Sequence, residues 1–204
     1  MLNAMFPEQC CGCQEIKNVS LCQECIAQLN IRPTQLPLIP EVDSVVGLLD
    51  YNNVIRNVLH NIKFERRSRL AKIVSEYIAD QLDQPIFEEC DIWIPVPIHW
   101  WRLRQRGFNQ VNLLFESLVN KFGLPFDDCI HRSVATPPLS ALNQYHRRLV
   151  MESAFCLKQR RQFRGASIVI CDDILTTGTT CSKLSGFLKL QGARSVQVLS
   201  LSYV

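Results

Sequence analysis

The sequence lacks an excess of charge of either sign: among 204 residues, 22 Lys and Arg face 19 Asp and Glu, a net charge of +3. So small a surplus does not mark the whole chain as a polyanion binder, and any phosphate chemistry must be local. Long apolar runs are also missing, none approaching the ~18 continuous residues that span a bilayer. The opening Met1-Leu2-Asn3-Ala4-Met5-Phe6-Pro7-Glu8 has no basic region and no apolar core of a signal peptide. There is no Gly-Lys-Ser/Thr of a Walker loop, no internal repeat and no low-complexity segment. With 47% hydrophobic and 20% charged residues, the composition is that of a globular chain with a real core, not a disordered or collagen-like one. The length suits one domain of about 160 residues with a small module attached.

Cysteine, by contrast, is plentiful. Ten are present, and Cys10, Cys11, Cys13, Cys22 and Cys25 fall close together near the start. Cys10-x-x-Cys13 and Cys22-x-x-Cys25 are two knuckles able to bring four thiolates to a tetrahedral Zn²⁺. The same spacing could make two strained disulfides or a redox pair, but a redox CxxC usually opens a helix in a βαβ setting, which this region lacks. Four protein ligands leave no open position, so the expected zinc is structural and stabilises a segment too short for its own core. Cys11 is the spare and could replace Cys10. Cys90, Cys129, Cys156, Cys171 and Cys181 sit in apolar context and are expected to be buried as small apolar residues. The whole reads as a reduced, cytoplasmic protein.

Pro33, Pro37 and Pro40 resist helix and central strand, which divides the chain into a metal module with a Pro-rich linker at 1–41 and a main domain at 42–204. Within the latter, 45–49 reads as a strand, and helical spacing of apolar residues recurs over 54–62, 70–82 and 110–122. Ile92 to Pro97 reads as a short buried strand followed by a basic loop, Arg102 to Gly107, and 132–153 reads as a long polar loop. A strand at 166–171, a helix at 180–190 and a strand at 195–201 form a βαβ unit, which implies a parallel sheet covered by helices.

The most informative stretch runs from Ile168 to Thr180. An apolar strand meets Asp172 and Asp173, then the loop Thr176-Thr177-Gly178-Thr179-Thr180 that opens a helix. Gly178 lets the backbone approach an anion closely, and the unpaired N–H groups of Thr177 to Thr180 form a cradle at the positive end of the helix. Two carboxylates beside a phosphate would repel it, but they suit neutral hydroxyls, such as a ribose diol, or a bridging Mg²⁺. The plainer alternative is an ordinary capped helix after a buried strand.

Val169 to Thr180 closely resembles the phosphoribosyl pyrophosphate (PRPP) loop of type I phosphoribosyltransferases, and the chain more narrowly is similar to the ComF/GntX-like competence proteins. Further stretches carry that resemblance: Tyr51 to Phe64, Pro95-Val96-Pro97 through Arg102-Leu103-Arg104-Gln105-Arg106-Gly107-Phe108-Asn109-Gln110, and Thr136 through Arg147-Arg148 to Phe155. The resemblance implies an α/β fold: a parallel-sheet type I phosphoribosyltransferase-like domain of about five strands with a small hood and an N-terminal zinc-binding module. It implies that Asp172 and Asp173 hold ribose hydroxyls and that Thr176, Thr177, Gly178, Thr179 and Thr180 take the 5′-phosphate. Pro95, Val96 and Pro97 with the basic loop would face Mg²⁺-pyrophosphate, and 136–148 would close as a lid. Pyrophosphate leaving C1 needs positive charge, which Arg102, Arg104 and Arg106 can supply. Thr176 stands where purine-salvage members have an acid, so no general base is evident. Leu139, Trp100, Trp101 and Leu149 also depart from the common pattern.

Trp100 and Trp101 before Arg102, Arg104 and Arg106 have the interleaving of a single-stranded nucleic-acid groove, to which Arg147 and Arg148 would add. At least one of the two Trp is nevertheless expected to pack under the loop as an ordinary core or hood residue. Two functions are therefore expected: a PRPP-binding phosphoribosyltransferase-type protein of natural competence, or a non-catalytic single-stranded-DNA-binding or PRPP-sensing partner of a competence helicase.

Overall fold

A computed structural model of the chain describes residues 8–87, 89–132, 155–158 and 162–204. Its centre is a five-stranded sheet in the order β1-β2-β7-β6-β3. The strands are β1 (Thr34–Gln35), β2 (Ser44–Asp50), β3 (Ile92–Pro95), β6 (Ser167–Leu175) and β7 (Ser195–Tyr203). β2, β7, β6 and β3 run parallel, and only β1, from the Pro-rich segment, is antiparallel at one edge. This is the mostly parallel α/β sheet that the βαβ pattern implies. A separate antiparallel pair, β4 (Ile130–Arg132) and β5 (Phe155–Leu157), flanks the stretch 133–154, which lies outside the described residues together with the expected lid, Arg147 and Arg148.

Alternation along β6 explains the two-sided core. Val169 and Cys171 enter one apolar cluster, Ile168 and Ile170 the other, as the period of two requires. Burial on both faces is why these strands read as continuous apolar runs. The first cluster is covered by α2 (Asn53–Phe64), α3 (Ser68–Gln81) and α5 (Gln110–Phe122), the second by α6 (Thr179–Leu190). In α2 the residues Val54, Ile55, Val58, Leu59 and Ile62 are buried, one face at helical spacing. The Asn52 side chain caps this helix by accepting from the Ile55 N–H at 2.9 Å. Asn109 does the same for α5, and its Nδ2 also donates to the Val96 carbonyl at 3.0 Å, fixing the helix start against the end of β3.

The N-terminal cysteine segment, with the short α1 (Gln23–Ala27), does not stand apart: Cys10, Cys11, Leu21, Cys22, Cys25 and Leu29 join the first cluster beside α2. At the other edge of the sheet, β3 is bridged by the chain at 125–127, where the Trp93 N–H donates to the Pro125 carbonyl and the Asp127 N–H to the Trp93 carbonyl.

Gly47 in β2 lies under the Tyr203 ring; a Cβ there would stand 2.1 Å from Tyr203 Cδ1. Gly47→Ala is therefore expected to destabilise the fold by about 1–3 kcal/mol through overpacking. A lowered urea midpoint at unchanged slope is the readout.

Candidate functional site

A cleft of about 750 Å³ opens where β3 and β6 end, the usual ligand position of parallel α/β sheets. Lys63, Arg66, Arg102, Arg106 and Arg132 line it as five cations, against the two carboxylates of Asp172 and Asp173. Val96, Pro97, Trp101 and Thr180 also line it, so much of the expected constellation converges.

Three local features differ from the sequence reading. The strand β6 does not stop at Cys171 but continues to Leu175, so both acids sit within the sheet and are buried. The expected basic loop after β3 is a helix, α4 (Trp100–Arg106). His99 Nδ1 accepts from the Trp101 N–H at 3.3 Å at its start, and Gly107, at φ 88°, ends it. No side chain of α4 is buried, so the helix has no apolar period to read. Neither tryptophan packs as core, against the expected core or hood placement of at least one: Trp100 and Trp101 are 56% and 58% exposed, ring edge to ring face at 5.9 Å. Both stand on α4 together with Arg102, Arg104 and Arg106, and Trp101 also lines the cleft.

The acids are held by groups that sequence reading missed. Lys63 Nζ pairs with Asp173 Oδ2 at 2.7 Å, and Gln110 Nε2 donates to the same oxygen at 2.8 Å. Arg106 in turn donates to Gln110 Oε1, completing a relay from α4 through α5 to the strand. Asp172 Oδ1 accepts the Asp173 N–H at 2.9 Å, and its Oδ2 accepts from the Cys181 thiol at 3.3 Å. Burial, reinforced by the neighbouring Asp173 charge, raises the Asp172 pKa to about 7. Burial lowers the Arg106 pKa, opposed by the attraction of Asp173. In sequence Lys63 falls within Tyr51 to Phe64 with no role of its own, Gln110 reads as a helix start and Cys181 as a small buried residue.

The threonine loop turns as expected. Gly178 has φ 67° and caps α6, and its missing Cβ leaves room for Ile39, whose atoms would otherwise be 2.8 Å away. Thr177 and Thr179 share a hydroxyl hydrogen bond of 2.8 Å. Thr176, Thr177 and Thr179 are exposed but, unlike Thr180, do not line the cleft, and Pro95 is buried in β3.

At the N-terminus, one sulfur from each of Cys10, Cys13, Cys22 and Cys25 lies within 4.8 Å of the others, a spread compatible with a tetrahedral ion bound at ~2.3 Å. All ten cysteines are free thiols, so these pairs form no disulfides. Burial opposes the thiolate at Cys10, yet N–H donors from Cys22, Cys13 and Gly12 lower its pKa to about 6. This donor set fits a metal such as zinc. Cys11 is outside the group; its Sγ accepts from Arg67 Nη1 at 3.1 Å. Of the cysteines expected to be buried, Cys129, Cys171 and Cys181 are, whereas Cys90 is half-buried and Cys156 is exposed on the short strand β5.

Unfolded, Asp172 ionises near the usual carboxylate value of about 4. Between there and its folded value of about 7 the native state holds one proton more, so the stability it confers is full at the lower pH and is lost as pH rises to the upper. Asp172→Asn carries no charge, and its Tm relative to the unmodified chain should climb from pH 4 to pH 8. A pH-independent difference in thermal melts would contradict the raised value.

No protein-family model matches the chain. Competence protein F of Haemophilus influenzae is 26% identical over 95% of this chain and 89% of that protein. The DNA utilization protein YhgH of Salmonella typhimurium is 31% identical over 91% of this chain and 85% of that protein. Among solved structures, a hypoxanthine phosphoribosyltransferase from Staphylococcus aureus aligns with a TM-score of 0.39 at 12% identity, covering 67% of this chain and 64% of that one. With identity and coverage of this extent, the chain belongs to the family of the DNA utilization protein YhgH and competence protein F.

Proposed function

We propose that the cleft binds PRPP and that the protein is a phosphoribosyltransferase-type factor of natural competence, handling incoming DNA in the cytoplasm. The observation that carries this reading is the buried pair Asp172 and Asp173 towards the end of β6, beside the N-terminus of α6 and inside a cationic cleft. Carboxylates there accept from the 2′-OH and 3′-OH of a ribose, while the N–H groups and hydroxyls of Thr176 to Thr180, with Gly178, receive the 5′-phosphate. Pro95, Val96 and Pro97 shape the wall facing the pyrophosphate. Arg106 lies beside the acids, Arg102 lines the same wall, and Arg104 follows on α4; their charge stabilises pyrophosphate as its bond to C1 breaks. Magnesium, carried with PRPP, would neutralise further oxyanion charge there. Asp172 and Asp173 orient the ribose so that a nitrogen or oxygen nucleophile can approach C1.

Cys10, Cys13, Cys22 and Cys25 would hold zinc in a closed, structural site. The names of the relatives support the competence role.

A second reading is favoured by the exposed Trp100 and Trp101 on the arginine-bearing α4: a non-catalytic protein that binds single-stranded DNA, or senses PRPP, alongside a competence helicase. Bases would stack on the rings while Arg102, Arg104 and Arg106 track phosphates, and Arg147 and Arg148 are further candidates.

Titration calorimetry with PRPP and Mg²⁺ tests the first reading. Charge-assisted hydrogen bonds contribute about 1.5–3 kcal/mol each, so Asp172→Asn/Asp173→Asn should weaken binding at least about tenfold. Equal binding by the double variant would reject the site. For the second, affinity for a single-stranded oligonucleotide should fall steeply with salt, and Arg102→Gln/Arg104→Gln/Arg106→Gln should reduce the log–log slope by about 0.7 per lost phosphate contact. An unchanged slope would remove α4 from the DNA path.

A further inference from the structure

α2 is tied to the cysteine module from one residue within it and from the residues that flank its two ends. Near its start, Asn52 Nδ2 donates to the Gln28 carbonyl at 3.3 Å. Further along, Asn57 Nδ2 donates to the Gly12 carbonyl at 2.8 Å. The approach there is so close that a Cβ on Gly12 would stand 3.1 Å from Val54 Cγ1 of the helix. Just beyond its end, Arg67 reaches Cys11 Sγ at 3.1 Å, across a turn in which Arg66 is held at φ 54°, a left-handed conformation that non-glycine residues seldom adopt. The last turn of the same helix delivers Lys63 to Asp173 at 2.7 Å.

We propose that the cysteine module is a clamp on α2 that sets the position of Lys63 against Asp173, with Arg67 and Asn57 as positioning residues. Apolar burial of Ile55, Leu59 and Ile62 holds the helix on the sheet but is tolerant of sliding and rotation; the three polar ties are directional and fix both. The module can hold α2 only while it is itself ordered, and a segment this short takes its order from its metal. Loss of the metal thus releases the cation of the acid pair while the sheet stays folded.

This inference rests on the zinc reading of the four cysteines but not on the identity of the cleft's ligand. The test uses the full chain, with zinc content measured alongside trace acetylation of lysines read by peptide mass spectrometry and amide hydrogen exchange. Lys63 should label slowly in the zinc-loaded protein. Arg67→Ala and Asn57→Ala should each keep the zinc yet raise Lys63 labelling and amide exchange over 58–67 several-fold, with Lys189, paired to Asp43 on the far side, unchanged as control. Arg67→Lys, which keeps a donor for Cys11, should restore most of the protection, and chelation should reproduce the loss. Unchanged Lys63 labelling in both alanine variants overturns the clamp whether or not zinc is bound, whereas absence of zinc from the purified protein overturns the metal reading on its own.

Discussion

Two adjacent carboxylates buried inside a strand are the constraint around which this domain is arranged. Removing one ionised group from water costs several kcal/mol unless it is paired, and neighbouring acids aggravate each other. The chain meets that cost from four directions: Lys63 from α2, Gln110 from α5 with Arg106 behind it, the Cys181 thiol from α6, and the Asp173 backbone N–H. Each helix on the sheet contributing a partner must be set to within a few tenths of an ångström at that end. The residual strain falls on Asp172, whose carboxyl is held near neutrality, a pattern more common at sites built for a ligand than at sites built for stability.

Much of this was legible in the sequence where local pattern and packing agree. β6 and α6 were readable because an uninterrupted apolar run, two acids and a glycine each have a local physical meaning, and the two-faced burial of the sheet confirms why the run is uninterrupted. The same holds for α2 and α5, whose buried faces repeat at helical spacing. What was not legible lacks such a pattern. α4 buries nothing, so its helicity is recorded only in the His99 start and the Gly107 stop. The partners of Asp173 come from distant positions, and no local spacing announces that Lys63 or Gln110 will meet it. The tryptophans show the limit of composition: a large apolar ring usually implies core, yet both lie on a helix with no buried face.

The cysteines divide along similar lines. Knuckle spacing pointed to the four sulfurs that lie together, and Cys11, ambiguous in sequence, is taken up by Arg67. Cys181 combines two roles, being fully buried between α6 and the sheet and a donor to the acid pair. An apolar residue of that size would fill the space but leave Asp172 Oδ2 without this donor.

The order of the sheet limits how the protein can meet other chains. One edge ends in β1, only two residues long, and the other, β3, has its backbone covered by 125–127 and stops at a proline. Neither edge offers an open ladder on which a foreign strand could extend the sheet. Along the described five-stranded sheet a partner would meet side chains displayed on helices and loops, so that recognition there can change by surface substitution without disturbing the strand register that holds the acid pair in place.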